Sequence, residues 1–134
     1  MYENKRYYVI IITEILETGG YMSKIRIKAE IINNGDINSY ETQAIIQDDI
    51  LKYTEDKFTK VIYNLEDHTL LRENEKIKMF YSFKTNKGLI EIKELGKVID
   101  IDIKVHDIKR NKNNIKVHYE IDKDEFIYRV GEIK

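Results

Sequence analysis

A chain of 134 residues has the length of a single domain and can bury roughly two-thirds of its unfolded surface. Hydrophobic residues make up 42% of the chain and charged residues 35%, a composition that excludes a disordered protein. The 23 basic and 24 acidic side chains leave a net charge of −1, which lacks the electrostatic signature of a nucleic-acid or anionic-membrane binder. The absence of cysteine excludes disulfides, thiolate catalysis and cysteine-containing zinc sites.

The N-terminal residues 7–16 form the most apolar run of the chain. The run is shorter than the about twenty residues of a membrane helix, Glu14 interrupts it, and no small-residue cleavage site follows it. We therefore expect a cytoplasmic protein without a membrane span. Two interpretations of the run stay open. It is either an extra strand that turns back at residues 18–20, or an annotation artefact of residues 1–21, since a ribosome-binding sequence can encode Gly19-Gly20 just before a true start at Met22.

From Ser23 onward, apolar and polar residues alternate with a period of two, which is typical of strands with one dry and one wet face. The first strand places Ile25, Ile27, Ala29 and Ile31 on one face, and a turn rich in asparagine and glycine follows at residues 33–36. Further strands are predicted at residues 40–47, 50–56, 58–65, 69–74, 77–83, 89–95 and 126–133.

The clearest alternation lies in residues 97–106 and 114–122. We predict that these two segments pair as an antiparallel hairpin, with the polar segment DIKRNKNN as its loop. The apolar residues of both segments occupy the odd positions, namely Ile99, Ile101, Ile103, Val105, Ile115, Val117, Tyr119 and Ile121.

No segment shows a helical stripe over three turns, and strands recur at the spacing of a sandwich or barrel. Short polar loops favour an antiparallel up-and-down meander. Such a meander buries its apolar face and removes its exposed edges by closing on itself. The sequence thus predicts an all-β fold in one domain over residues 1–134, closing into a β-barrel of about eight or more strands.

The three histidines are His68, His106 and His118. His106 and His118 lie on the polar, even-numbered face of the predicted hairpin, near several carboxylates. If the hairpin folds about residue 110 or 111, these two imidazoles are several residues apart along the ladder, too far to share an ion. The interpretation is therefore solvent-facing histidines with charged neighbours, and no metal site is predicted.

The sequence contains few candidate catalytic groups. The paired carboxylates at Asp48-Asp49, at Glu66-Asp67 and in residues 122–125 fall in predicted turns, where water screens them. The serines lack a nucleophile-elbow context, and Gly19-Gly20 lacks the rest of a phosphate loop. We predict no catalytic residue, no cofactor and no enzymatic activity.

Three tyrosines, Tyr63, Tyr81 and Tyr119, face inward by the period of two. A buried phenol usually needs a hydrogen-bond partner. In a solidly packed barrel these rings belong to the core and reach the rim, whereas in a hollow barrel they line a pocket and orient a ligand. They are the ligand-binding residues that the sequence predicts.

The segment from Phe83 to Gly88, the segment LIEIKELGKVIDIDI and the strand NIKVHYEID together resemble the bacterial YwiB-like family. That family has a calycin-like (lipocalin-like) β-barrel and no known function. Thr85, Gly88, Tyr119 and Glu120 match its aromatic-x-Thr-x-x-Gly turn and its Tyr-Glu pair. The resemblance covers most of residues 22–134. It implies a fold and no reaction, although calycin barrels often hold small apolar ligands.

These observations predict a small bacterial β-barrel that binds a small apolar or amphipathic ligand inside. The alternative is a structural or protein–protein interaction module with a solid core. A weaker alternative is a nucleic-acid-binding barrel, favoured by the basic-aromatic pairs Lys52-Tyr53 and Lys57-Phe58 but opposed by the acidic residues interspersed among the bases. The sequence makes no prediction of the oligomeric state.

Overall fold

The structure, a computed structural model, describes residues 22–133, and the predictions for residues 1–21 lie outside them. The described chain forms one antiparallel sheet of eleven strands, which confirms the predicted all-β meander. The strands are β1 (Ser23–Asn33), β2 (Asp36–Gln47), β3 (Ile50–Thr54), β4 (Lys60–Asn64), β5 (Thr69–Glu73), β6 (Ile77–Ser82), β7 (Lys87–Ile92), β8 (Lys97–Asp102), β9 (Lys104–Asn111), β10 (Asn114–Ile121) and β11 (Asp124–Glu132).

The strand order across the sheet is β8-β7-β6-β5-β4-β3-β2-β1-β11-β10-β9. The two outermost strands, β8 and β9, are consecutive in the chain, and Ile103 alone separates them. The sheet therefore curls round until its two edges meet in one run of chain, which makes a nearly closed barrel. At the junction, the Ile103 N–H donates to the Asn86 carbonyl at 3.0 Å, and the Ile103 side chain is buried.

The tight turns use residues that tolerate a left-handed backbone. The β1–β2 turn has φ 50° at Asn34 and 91° at Gly35, as its sequence predicts. Asp48 and Asp49 form the β2–β3 turn with φ 51° and 63°, so this carboxylate pair lies in a turn, again as predicted. Between β7 and β8, a single 3-10 turn at Lys93–Leu95 ends at Gly96 with φ 58°.

The predicted hairpin of residues 97–106 with 114–122 is wrong for residues 97–102 and for the position of its turn, whereas residues 104–106 do lie on a strand antiparallel to β10. Its first segment is divided between β8, which pairs with β7, and β9, which pairs with β10. Most of the predicted loop DIKRNKNN is strand, and the actual turn is two residues, Lys112 and Asn113. The alternation of the apolar residues predicts correctly which face each residue occupies. It does not predict which strand is the partner.

The predicted separation of His106 and His118 is wrong for the same reason. The turn at residues 112–113 shifts the register, so that His118 pairs with Asp107. The two imidazole rings lie with their centroids 4.7 Å apart.

The barrel interior holds the core, which draws on all parts of the described sheet. Its largest fully buried side chains are Tyr63, Phe83, Ile27, Leu51, Leu65, Leu70, Ile115, Val61, Val117 and Val130. Within residues 22–133, no helix has the length and apolarity that a membrane crossing requires.

Candidate ligand-binding site

A charged residue occupies an interior position of the barrel. Arg72 pairs with Val61 on β4 and with Met79 on β6, and its neighbours along this row are Ile90 and Ile99. The alternation that turns Leu70 inward also turns Arg72 inward, two residues further along β5. We call Arg72, Met79, Ile90 and Ile99 the Arg72 row.

The Arg72 row marks an open end of the barrel. Ile99 faces inward by register but is 37% exposed, and Arg72, Met79 and Ile90 are all half-buried. The inward residues of the neighbouring row, by contrast, include Leu51 and Tyr63 with no exposed surface. The interior is therefore more exposed at the Arg72 row than at Leu51 and Tyr63.

Glu55 and Tyr40 complete a polar network around Arg72. The Arg72 Nε–H donates to both carboxylate oxygens of Glu55 at 3.1 and 3.0 Å, and Nη2 donates to the same carboxylate. The Tyr40 hydroxyl donates to Glu55 Oε1 at 3.3 Å. A bidentate pair of this kind fixes the plane of the guanidinium group. Within residues 22–133, no side chain or carbonyl accepts a hydrogen bond from Arg72 Nη1.

Arg72 keeps its positive charge at all ordinary pH values. Burial lowers the pKa of Arg72, but the hydrogen bonds that Arg72 donates to Glu55 and the negative charge of Glu55 outweigh burial, so the pKa lies above its usual value. The pKa of Tyr40 is raised, first by burial and then by the charge of Glu55. The open end thus presents a permanently charged guanidinium group beside apolar side chains.

Tyr81 and Tyr119 lie close to this network. Their rings meet edge to face with centroids 5.9 Å apart, and Tyr119 also stacks on Phe126 at 5.3 Å. Burial raises the pKa of both phenols, while the positive charge of Arg72 acts on both in the opposite direction. Both hydroxyls are therefore within electrostatic reach of Arg72.

The hydroxyl groups of Tyr81 and Tyr119 have no hydrogen-bond partner among the described residues. Each residue is nevertheless more than nine-tenths buried. Among residues 22–133, Gln47 Nε2 is the side-chain polar atom that is both fully buried and without a partner. The phenol oxygens of Tyr81 and Tyr119 are therefore not fully buried. They keep some accessible surface, where water or a bound molecule can reach them.

Gly88 makes room for Tyr81. The two residues pair directly across β6 and β7. A Cβ atom at residue 88 would lie 2.7 Å from Tyr81 Cδ1 and 2.9 Å from the Phe80 carbonyl oxygen. Glycine at this position therefore allows the Tyr81 ring to lie over the backbone of β7.

Tyr63, the third predicted tyrosine, lies in the same aromatic cluster, because the Phe83 ring beside it also packs against Tyr81 at 6.2 Å and Tyr119 at 5.0 Å. Its ring stacks on Phe83 at 6.5 Å and on Tyr128 at 5.6 Å, and its hydroxyl shares a 2.9 Å hydrogen bond with His68 Nδ1. Burial raises the pKa of Tyr63, and the charge that acts on it is that of Arg110 rather than Arg72. The structure brings Tyr81 and Tyr119 together, and it places Tyr63 in the packed core toward the opposite end.

Arg110 closes that opposite end. It lies on β9 and reaches across the barrel, where Nη2 donates to Asp49 Oδ1 at 2.7 Å and Nη1 donates to the Leu65 carbonyl at 3.3 Å. The Leu65 N–H in turn donates to the Asp49 carbonyl at 2.8 Å. These bonds join β9 to the β2–β3 and β4–β5 turns, which belong to the other side of the strand order.

The sequence reasoning missed Arg72, Glu55 and Tyr40 as site residues. The signal was present, because the period of two that places Tyr53 and Leu70 inward also places Glu55 and Arg72 inward. Two opposite charges at interior positions of one predicted barrel indicate a buried ion pair or a ligand site.

A second set of potential ligands lies on the outer face. His106, His118 and Glu125 offer metal-binding atoms that all lie within 4.8 Å of one another. No metal site was predicted here because the two histidines were expected to lie far apart. The structure contradicts that separation.

The open end brings apolar, cationic and phenolic side chains together. It combines apolar side chains with one oriented cation and two phenol hydroxyls that have no hydrogen-bond partner among residues 22–133, a combination typical of small-molecule pockets. Comparison of the chain with protein-family models, with curated proteins and with solved structures gives no match.

Proposed function

We propose that this protein binds a small amphipathic molecule in the open end of its barrel. The apolar part of the ligand contacts Met79, Ile90 and Ile99. Its head group accepts hydrogen bonds from Arg72 and from the hydroxyls of Tyr81 and Tyr119. The observation that carries the proposal is the pair of buried tyrosines whose hydroxyl groups keep some accessible surface beside an inward-facing arginine.

The charge of Arg72 favours an anionic head group such as a carboxylate. Glu55 occupies one edge of the guanidinium group and leaves Nη1 for a second acceptor. Arginine holds carboxylates and phosphates through such planar, paired hydrogen bonds. This proposal narrows the ligand class that the sequence predicts, and it agrees with the small-ligand binding that a calycin-like barrel of the YwiB-like family implies.

Native mass spectrometry of the full recombinant chain is the first test, because a ligand held inside a barrel co-purifies with it. The second is titration with the anionic amphipathic dye 8-anilinonaphthalene-1-sulfonate. We expect the Arg72→Met/Glu55→Gln variant, which removes the cation without leaving an unpaired carboxylate, to weaken dye binding at least about tenfold, or about 1.4 kcal/mol.

Arg129→Met is the matched control, since Arg129 is a cation on the outer face, where it donates to Glu30 at 3.1 Å. Circular dichroism confirms that each variant is folded. The proposal fails if the wild-type protein shows only the bare polypeptide mass and binds no dye, or if the two variants bind the dye equally.

An interaction module is the second candidate function, and an apolar row on the outside of the barrel favours it. Ile62, Leu71, Phe80 and Leu89 pair directly with one another across β4 to β7, and each alternates with inward-facing neighbours. A second copy of the chain is the partner that such a row suits, because a two-fold axis places the row against itself. Light scattering then shows a dimer that Phe80→Lys converts to a monomer and that Ile37→Lys, an exposed position on β2, leaves intact.

A further inference from the structure

Strand β9 contains a β-bulge on the outer face of the barrel. His118 pairs with Asp107 and Tyr119 pairs with Val105, so His106 is the extra residue. In a bulge of this kind, two residues of one strand oppose one residue of its partner. Val105 and Ile108 both pack against the core, so His106 and Asp107 between them both lie on the outer face.

The bulge brings two imidazoles and two carboxylates together. The His106 and His118 ring centroids are 4.7 Å apart, with 40° between the ring planes. His118 Nε2 lies 3.8 Å from Glu125 Oε1, and His106 Nε2 lies 3.2 Å from Glu120 Oε1. These residues come from three adjacent strands, so each one stands on the rigid wall of the barrel.

We propose that His106, His118 and Glu125 form a binding site for a divalent transition-metal ion of the zinc type. Two imidazoles and a carboxylate suit zinc and its first-row neighbours, whereas calcium and magnesium require sites made of oxygen atoms. Zinc bonds of about 2.0–2.1 Å place tetrahedral ligand atoms about 3.4 Å apart. The three ligand atoms already lie within 4.8 Å of one another, and the side chains are at the surface, where small rotamer changes close the remaining distance.

Glu120 adds a fourth group to the site. Its contact with His106 allows it either to complete the coordination sphere or to orient the imidazole, as the outer carboxylates of many metal sites do. Without a metal, the same four side chains form an ordinary polar cluster on the surface, and zinc titration distinguishes the two cases.

Calorimetric titration of the untagged full-length chain with zinc chloride tests the proposal. We expect one zinc ion per chain, and we expect His106→Gln and His118→Gln each to weaken binding by at least about tenfold. Glu125→Gln weakens binding in the same direction. His68→Gln is the matched control, because His68 is the remaining histidine of the chain and its Nδ1 bonds to Tyr63 in the core. It leaves zinc affinity unchanged.

Thermal unfolding gives a second readout, because a metal that binds the folded state alone raises the unfolding temperature. Zinc stabilises the wild-type protein and the His68→Gln variant, and it does not stabilise His118→Gln. The proposal is overturned if the wild type binds no zinc, if His106→Gln and His118→Gln bind zinc like the wild type, or if His68→Gln loses affinity as much as they do. The site lies on the outer face, so this result is independent of ligand binding inside the barrel.

Discussion

The two ends of the barrel are built from the same alternation of residues and have opposite characters. At the closed end, Tyr63 stacks between Phe83 and Tyr128, and Arg110 bonds across the opening to Asp49. At the open end, the inward-facing Arg72 donates hydrogen bonds to Glu55 on the same side of the barrel, and the inward-facing Ile99 remains 37% exposed.

The difference shows that an inward position on a strand does not determine whether a barrel is filled. Both ends have an inward-facing arginine, but Arg110 finds acceptors on the opposite wall and Arg72 finds one two strands away in the sheet order. A cation that bonds across the barrel shuts the opening, whereas one that bonds along the wall leaves it accessible. The contrast leads to three predictions.

The largest expected effect is on the core of the closed end. Tyr63→Ala removes a fully buried ring and leaves a cavity beside Phe83, so the free energy of unfolding falls by about 3–5 kcal/mol. Met79→Ala in the Arg72 row costs less than about 2 kcal/mol, because Met79 is only half-buried and its truncation widens an existing opening. Urea denaturation measures both. Equal losses would contradict the distinction between the two ends.

A smaller effect separates the hydroxyl groups of the two tyrosine sites. Tyr63→Phe removes the hydrogen bond to His68 and lowers the free energy of unfolding by about 1 kcal/mol. Tyr81→Phe changes it by no more than about 0.5 kcal/mol, since that hydroxyl has no partner in the described part of the chain. Denaturation midpoints at constant m-value provide the comparison. A Tyr81→Phe loss as large as that of Tyr63→Phe would show that the Tyr81 hydroxyl is already satisfied.

The smallest effect is a pH dependence confined to the closed end. Burial lowers the pKa of His68, and the charges of Lys84 and Arg110 lower it further. The unfolded chain therefore binds this proton more readily than the folded one, and stability is lost as the pH falls below the ordinary histidine pKa of about 6.5. His68→Gln removes this contribution. Unfolding free energies of the wild-type protein and of His68→Gln, measured about every pH unit from pH 8 to pH 5, give this contribution. Parallel curves would contradict the assignment.

Part of the candidate site was predictable from sequence. Tyr81 and Tyr119 were assigned inward on the period of two, and they do face the interior. The same period applied to Glu55 and Arg72 would have added the ion pair, since a strand alternates whether its residues are polar or apolar. That Tyr63 binds a ligand with these residues stays a prediction, and the sequence did not reveal that its hydroxyl bonds to His68, because alternation gives the face of a residue and not its partners.

The sequence pattern did not identify β9 as a single strand. Its outer face is polar, its bulge interrupts the period of two, and Arg110 occupies an inward position near its end. Such a strand has the composition of a loop. Its identity depends on pairing with β10, which supplies hydrogen bonds that composition does not reveal.

The sequence by itself determined the all-β class, the inward and outward faces of most strands and the positions of the tight turns, because these follow from local alternation and from residues that accept a left-handed backbone. Only the tertiary structure decided the register of β9 on β10, the meeting of His106 with His118 and the difference between the two ends. Register and closure depend on contacts between strands far apart in the chain, and a shift of one or two residues in a turn changes which side chains meet.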